Sequence, residues 1–153
     1  MNCLAGVGPV SAGGGEELQQ NLPVSAQMCN MLPVSTNFER IGGEPKLRVI
    51  IETFVDSMFD DVMIGFFFRN VARKHIKELE YQFAAQFLGA PVAYRGRPVR
   101  EAHKSISIMG GQFARRKRLL EQTLQLHDVP QEIIGSWLAH VESLRGEVVK
   151  GPC

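Results

Sequence analysis

The chain has 153 residues, is 44 % hydrophobic and 22 % charged, and carries a formal net charge of +1. That length allows one domain with a real core, and so even a charge balance gives no reason to expect nucleic acid as the main partner. The longest apolar run, Val62 to Phe68, is seven residues, far short of the roughly 20 that a membrane-spanning helix needs.

Residues 1–36 differ in composition from the rest of the chain. They are rich in Gly, Ser, Pro and Gln, and "PVS" recurs at Pro9, Pro23 and Pro33. Such a segment buries little apolar area, so a disordered N-terminal tail is expected, with the folded domain at 37–150. No Lys or Arg precedes Arg40, so neither the charged start of a signal peptide nor an Arg-rich transit peptide is expected. Cys3, Cys29 and Cys153 lie in the terminal regions without C-x-x-C or C-x-x-C-H spacing. They supply no zinc site, redox pair or covalent haem attachment, and a reducing cytoplasm is the expected location. "SAGGGEE" is not a phosphate loop, because no Lys-Ser/Thr follows it.

From Thr36 the pattern is helical almost throughout. "TNFERIGG" predicts a short capped helix ending at Gly42-Gly43. Pro45 can open a second helix through about Asp60, with Leu47, Ile51, Phe54 and Met58 on one side. "MIGFFF" is a dense aromatic corner. A third helix is predicted from about Val71 to Leu88, with the inward stripe Ala72, Ile76, Leu79, Phe83 and Phe87, stopping at Gly89 before Pro91. "YRGRPV" is a turn into a short helix carrying His103, and Gly110-Gly111 precedes a long helix to about Leu126. Asp128 is expected to cap a last helix, with Pro130 near its first turn and Ile134, Trp137, Val141, Leu144 and Val148 inside. The predicted class is all-α.

"ERIGG", "FFF" after "FDDV", "FLGAPVAYRGRPVREAH" and "HKSISIMGGQF" together resemble the truncated haemoglobins, the small two-over-two helical globins, and most closely their first group. The family's spacing lies on Phe54 to Phe113 without a gap. The resemblance implies a globin-like two-over-two helical sandwich that holds non-covalent haem b.

A haem of this kind needs a flat apolar slot, one neutral nitrogen ligand and an open sixth coordination position. The resemblance makes His103 the proximal iron ligand, its other ring nitrogen donating to a carbonyl that fixes the ring. Without the resemblance, the bare sequence favours an exposed helical histidine between Arg100 and Lys104. Val99, Ile106 and Ile108 place apolar groups around it. Phe67 and Phe68 are expected against the haem, and Leu79, Phe83, Tyr94 and Leu120 are expected to line or support the slot.

The distal side departs from the family. Tyr usually follows the phenylalanine that matches Phe54, and here that residue is Val55, which cannot donate a hydrogen bond. The gapless register puts Ile76 over the sixth position and Glu80 where the family often has Gln. Glu80 falls inside the apolar stripe between Ile76 and Phe83, which is costly unless it is paired or protonated, and Arg116, in the stripe Phe113, Arg116, Leu120, Leu124, is the partner expected for it. Outward-turned side chains are the competing expectation. A slip of one residue would bring His75 over the haem instead. "FARRKRLL" spreads its charges around a helix, so a solvated face with one inward exception, Arg116, is expected. His127 and His140 have no ligand partners at suitable spacing and read as structural.

The function implied by the resemblance is reversible binding of a diatomic gas, oxygen, nitric oxide or carbon monoxide. Oxidation of nitric oxide by bound oxygen, served by a reductase, is the enzymatic form of it. A haem sensor or electron-transfer protein with an atypical distal pocket, and a haem-free globin-like interaction module, are the rivals. Nothing in the sequence sets the oligomeric state.

Overall fold

The computed structural model describes residues 35–151. The expected N-terminal tail, the three cysteines and "SAGGGEE" fall outside them. Helices are α1 (Asn37–Arg40), α2 (Gly43–Asp60), α3 (Arg73–Phe87), α4 (Val99–His103), α5 (Gly110–Leu126), α6 (Gln131–Ser143) and α7 (Arg145–Val148). A single 3-10 turn, Gly65–Phe68, follows α2. Among the described residues the only β pairing is one bridge between Ile108 and Val149, so the all-α expectation holds. Among the described residues no helix is long and apolar enough to cross a membrane.

The local signals explain most boundaries. Thr36 caps α1: its hydroxyl accepts from the Glu39 amide at 3.2 Å while the Glu39 carboxylate accepts from the Thr36 amide at 2.9 Å, a reciprocal box that satisfies two otherwise orphaned donors. Gly42 and Gly43 then take positive φ, 105° and 68°, a region costly for residues with a Cβ. Helix α2 therefore starts at Gly43, two residues earlier than Pro45 suggested; Pro45 still sits in the first turn, where no N–H is needed. Helix α3 ends at Gly89, φ 92°, where the Ala90 amide donates to the Ala85 carbonyl at 2.9 Å, closing the last turn.

One capping expectation fails. Asp128 does not cap α6; it sits at φ 54° and closes the turn after α5, and Pro130 precedes the first residue of α6. Aspartate tolerates the left-handed region better than most side chains, so a residue read as a helix start serves as a turn.

The core is built on α2. Leu47, Ile50, Ile51, Phe54, Val55 and Met58 are all buried, and the helix packs against α3 and α5, with α5 in turn packing on α6. This gives the two-over-two arrangement, α2 and α3 with α5 and α6. Gly65 is obligatory at the aromatic corner, because a Cβ there would lie 2.5 Å from the Phe59 carbonyl oxygen.

Helix α3 corrects the sequence reading. The fully buried residues are Tyr81, Ala84, Ala85 and Leu88, whereas the predicted stripe Ile76, Leu79, Phe83 and Phe87 is only half-buried, and Ala72 is exposed. The helix begins at Arg73 rather than near Val71. Small alanines let α3 approach the rest of the core closely, and the larger apolar stripe is left on a different flank.

Candidate functional site

That incompletely covered stripe is where the candidate site begins. Ile76, Leu79, Glu80 and Phe83 on α3, Phe67 and Phe68 of the 3-10 turn, and Val92 and Tyr94 in the loop before α4 are all half-buried. So are Val99, His103, Ile106 and Ile108 on and just after α4. A domain that buries the inner face of α2 leaves this second apolar set exposed in part, at a cost of about 25 cal/mol for each Å² of apolar surface left in water. Helix α4 packs chiefly on α7.

The loop into α4 is pinned to α3. The Arg95 amide donates to the Gln82 side chain at 3.1 Å, and the Tyr94 ring stands edge-on to Phe83 with centroids 5.3 Å apart. The Tyr94 hydroxyl donates to the Arg97 carbonyl at 3.2 Å. Gly96 lies directly beneath, and a Cβ there would overlap the tyrosine ring. Burial, with the nearby Glu80 charge, raises the Tyr94 phenol pKa, so this hydroxyl stays a donor.

His103 is half-buried at the last residue of α4, and its Nδ1 lies 2.7 Å from the Val99 carbonyl oxygen. A carbonyl only accepts, so in this contact Nδ1 carries a proton, and Nε2 is the ring nitrogen left for a metal. The bond spans one helical turn and orients the ring. This is the arrangement a neutral imidazole ligand requires.

Glu80 and Arg116 meet: Arg116 Nη2 donates to Glu80 Oε1 at 2.6 Å, with both side chains largely covered. The guanidinium lies 5.1 Å from the centroid of the Phe54 ring, close enough for a cation–π contribution. Val55, beside Phe54, is fully enclosed. His75 is exposed in the first turn of α3 while Ile76 packs against the core, so the one-residue slip that would bring His75 inward is not the register adopted. Leu120 is a core residue, 2 % exposed.

The basic run also needs correction. Arg115 Nε donates to Asp61 Oδ2 at 2.8 Å, so a second member of "RRKR" reaches a covered carboxylate while its own side chain stays 37 % exposed. Lys117 pairs with Glu142 and Arg118 with Glu121. Local carboxylates take up all four charges.

Two residues have ring partners at the site that the sequence did not foresee, although His140 was read as structural. His140 of α6 stacks on Phe87, centroids 4.3 Å apart and 7° from parallel, and on Phe83 at 5.7 Å. Its position four residues before Leu144 and three after Trp137 was the available signal. Burial lowers its pKa, keeping it neutral. Phe59 stacks on Phe68 at 4.9 Å and sets that ring's orientation. The seam is narrow, since Phe83, Tyr94, Phe87 and His140 lean on one another. Two surface concavities lie away from it, at the Phe59–Arg69 corner and along α2 and α3 near Arg48 and Tyr81.

A sequence model of the bacterial-like globin family matches residues 36–150. The group 1 truncated hemoglobin of Mycolicibacterium paratuberculosis is 28 % identical over 114 residues, spanning 74 % of this chain and 84 % of that protein. The Tetrahymena thermophila group 1 truncated hemoglobin is 27 % identical over 110 residues, 72 % and 91 % of the two chains. The Fe(III) crystal structure of the truncated hemoglobin from Tetrahymena pyriformis superposes with a TM-score of 0.70 at 26 % identity, covering 76 % of this chain and all of that one. The Synechococcus 2/2 hemoglobin, solved in a cyanomet state with covalently attached heme, shares the fold at TM-score 0.70 and 23 % identity, over 75 % and 98 % of the chains. With three quarters of its length matched and the two-over-two helices in place, this chain belongs to the bacterial-like globins, as one of the truncated haemoglobins.

Proposed function

We propose that the domain binds haem b without a covalent bond, with His103 as the proximal ligand, and that it takes up a diatomic gas. The observation that carries this reading is the 2.7 Å contact from His103 Nδ1 to the Val99 carbonyl, which orients the ring and leaves Nε2 as the nitrogen for iron, with the half-buried Val99, Ile106 and Ile108 near it in the chain. The iron of a bound haem supplies the site for oxygen, nitric oxide or carbon monoxide. Val99, Ile106 and Ile108 exclude water on the His103 side, and Phe67, Phe68, Leu79, Phe83 and Tyr94 offer the flat apolar contacts.

On the other side Val55 and Ile76 bring no donors. Arg116, held by Glu80, is then the charged donor for a ligand that gains negative charge on binding, a role that charge-assisted bonds perform well. Oxidation of nitric oxide by bound oxygen, with a reductase restoring the iron, is the enzymatic extension of this reading, and the cytoplasm is its setting. The mutual stacking of Phe83, Tyr94, Phe87 and His140 favours one rival, a domain whose rings fill the seam and which takes no haem.

Adding haem to the purified protein separates them. A Soret band that shifts under carbon monoxide supports gas binding. A haem spectrum indifferent to carbon monoxide points to a sensor or electron carrier. A protein that stays colourless is the interaction module.

A further inference from the structure

We infer that Val148–Lys150, the segment closing the C-terminal end of α7, positions His103 by strapping α4 and the chain after it; this rests on the reading of His103 as the axial ligand. Helix α4 has only five residues. So short a helix is marginal by itself, since nucleation is costly and few hydrogen bonds reward it. It has no side-chain N-cap, and it packs chiefly on α7. Something else must hold the ring in place.

The strap supplies two hydrogen bonds and an apolar anchor. The Lys150 amide donates to the Ile108 carbonyl at 3.0 Å, and Ile108 and Val149 form the bridge. The Lys150 ammonium donates to the Lys104 carbonyl, one residue beyond His103. Val148 is buried, at 9 % exposed, anchoring the strap. The Ile106 amide meanwhile donates to the His103 carbonyl at 3.0 Å. Residues 103–108 are thus bonded at both ends, to α4 and to the strap. Freed from Lys150, the segment would keep only the local bonds, and the His103 ring would sample more than one orientation. The acceptors that Lys150 uses here are both backbone carbonyls, of Ile108 and Lys104, so the segment acts as a mechanical brace.

The test uses the full chain with Lys150→Pro, which deletes the amide donor to Ile108, and Lys150→Met, which deletes only the ammonium. The iron–histidine stretching band of the ferrous haem protein is the primary readout, with haem transfer to an acceptor globin as the rate measure. A broadened or shifted band and haem loss faster by about tenfold in Lys150→Pro, with a smaller change in Lys150→Met, are expected, as for other supports of a metal ligand. A folded Lys150→Pro with an unaltered band and haem-loss rate overturns the inference. If Lys150→Pro loses helix content, Lys150→Met decides: an unchanged band there overturns it as well. Amide exchange of Ala102–Lys104 without haem is the third measurement. It should accelerate in both variants, so a wild-type protein that takes no haem sinks the His103 reading while leaving the strap to be judged separately.

Discussion

Glu80 on α3 and Arg116 on α5 form an ion pair of 2.6 Å. Neither charge lies fully in water, and each would be costly alone. The pair ties the two halves of the two-over-two arrangement while leaving most of the guanidinium's donors unused by Glu80.

Arg116→Leu should therefore do two things. It strands Glu80 half-buried, which costs about 1–2 kcal/mol, between the values for exposed and buried pairs, and urea unfolding would read that. It also removes the charged donor, so the oxygen off-rate of the haem-loaded protein should rise about tenfold, the equivalent of one charge-assisted hydrogen bond. An unchanged off-rate removes Arg116 from ligand stabilisation.

Asp61 presents a second cross-link. Its side chain is 4 % exposed and accepts from Arg115 and from the amides of Met63 and Ile64. Burial works against the charged carboxylate, but the Arg115 and backbone hydrogen bonds prevail and hold its pKa below the usual range. A depressed carboxylate pKa adds stability that is present above the unfolded value, near 3.9, and is lost as pH falls through the folded one. Asp61→Asn should unfold at lower urea at pH 7 by about 2 kcal/mol and lose less than the wild type between pH 5 and pH 3. Parallel pH curves for the two proteins contradict this account of the corner.

His140 titrates with the same sign by a different cause. Burial between Phe83 and Phe87 disfavours its protonated form, so the unfolded chain binds the proton more readily. That contribution is complete above the unfolded histidine pKa, about 6.5, and fades as pH drops below it. Urea midpoints of His140→Phe compared at pH 7.5 and pH 5 should show a smaller acid loss than wild type. An equal loss would falsify the neutral, enclosed histidine.

Gly65→Ala tests the aromatic corner. The added methyl meets backbone, the Phe59 carbonyl, which cannot swing aside as a side chain does. Destabilisation of about 2 kcal/mol or more is expected, with the Phe59–Phe68 stack displaced in the ring-proton spectrum. Retained stability would show that the corner bends freely.

Much of this molecule is written locally. The Thr36 capping box, the Gly42-Gly43 corner, the Gly89 stop and the α2 stripe follow from residue types whose backbone preferences leave few choices. So does the Glu80–Arg116 contact, since a carboxylate and a guanidinium in facing stripes have few better partners. What escaped depended on tertiary neighbours. Periodicity marks Ile76, Leu79, Phe83 and Phe87 as apolar, but does not reveal that Tyr81, Ala84 and Ala85 take the protein-covered flank. Asp128 carries the chemistry of both a cap and a left-handed turn, and only the chain's path selects between them. Arg115 and Asp61 are 54 residues apart, beyond the reach of any helical spacing rule. His140 gained its ring partners only when α6 met α3.

The central claim is that the His103 imidazole binds iron through Nε2, and His103→Gly tests it most directly. The variant should bind haem weakly and regain the wild-type Soret and carbon monoxide spectra when free imidazole is added, because the small ligand occupies the space the ring vacates. A His103→Gly protein that holds haem with a wild-type spectrum before any imidazole is added contradicts the account.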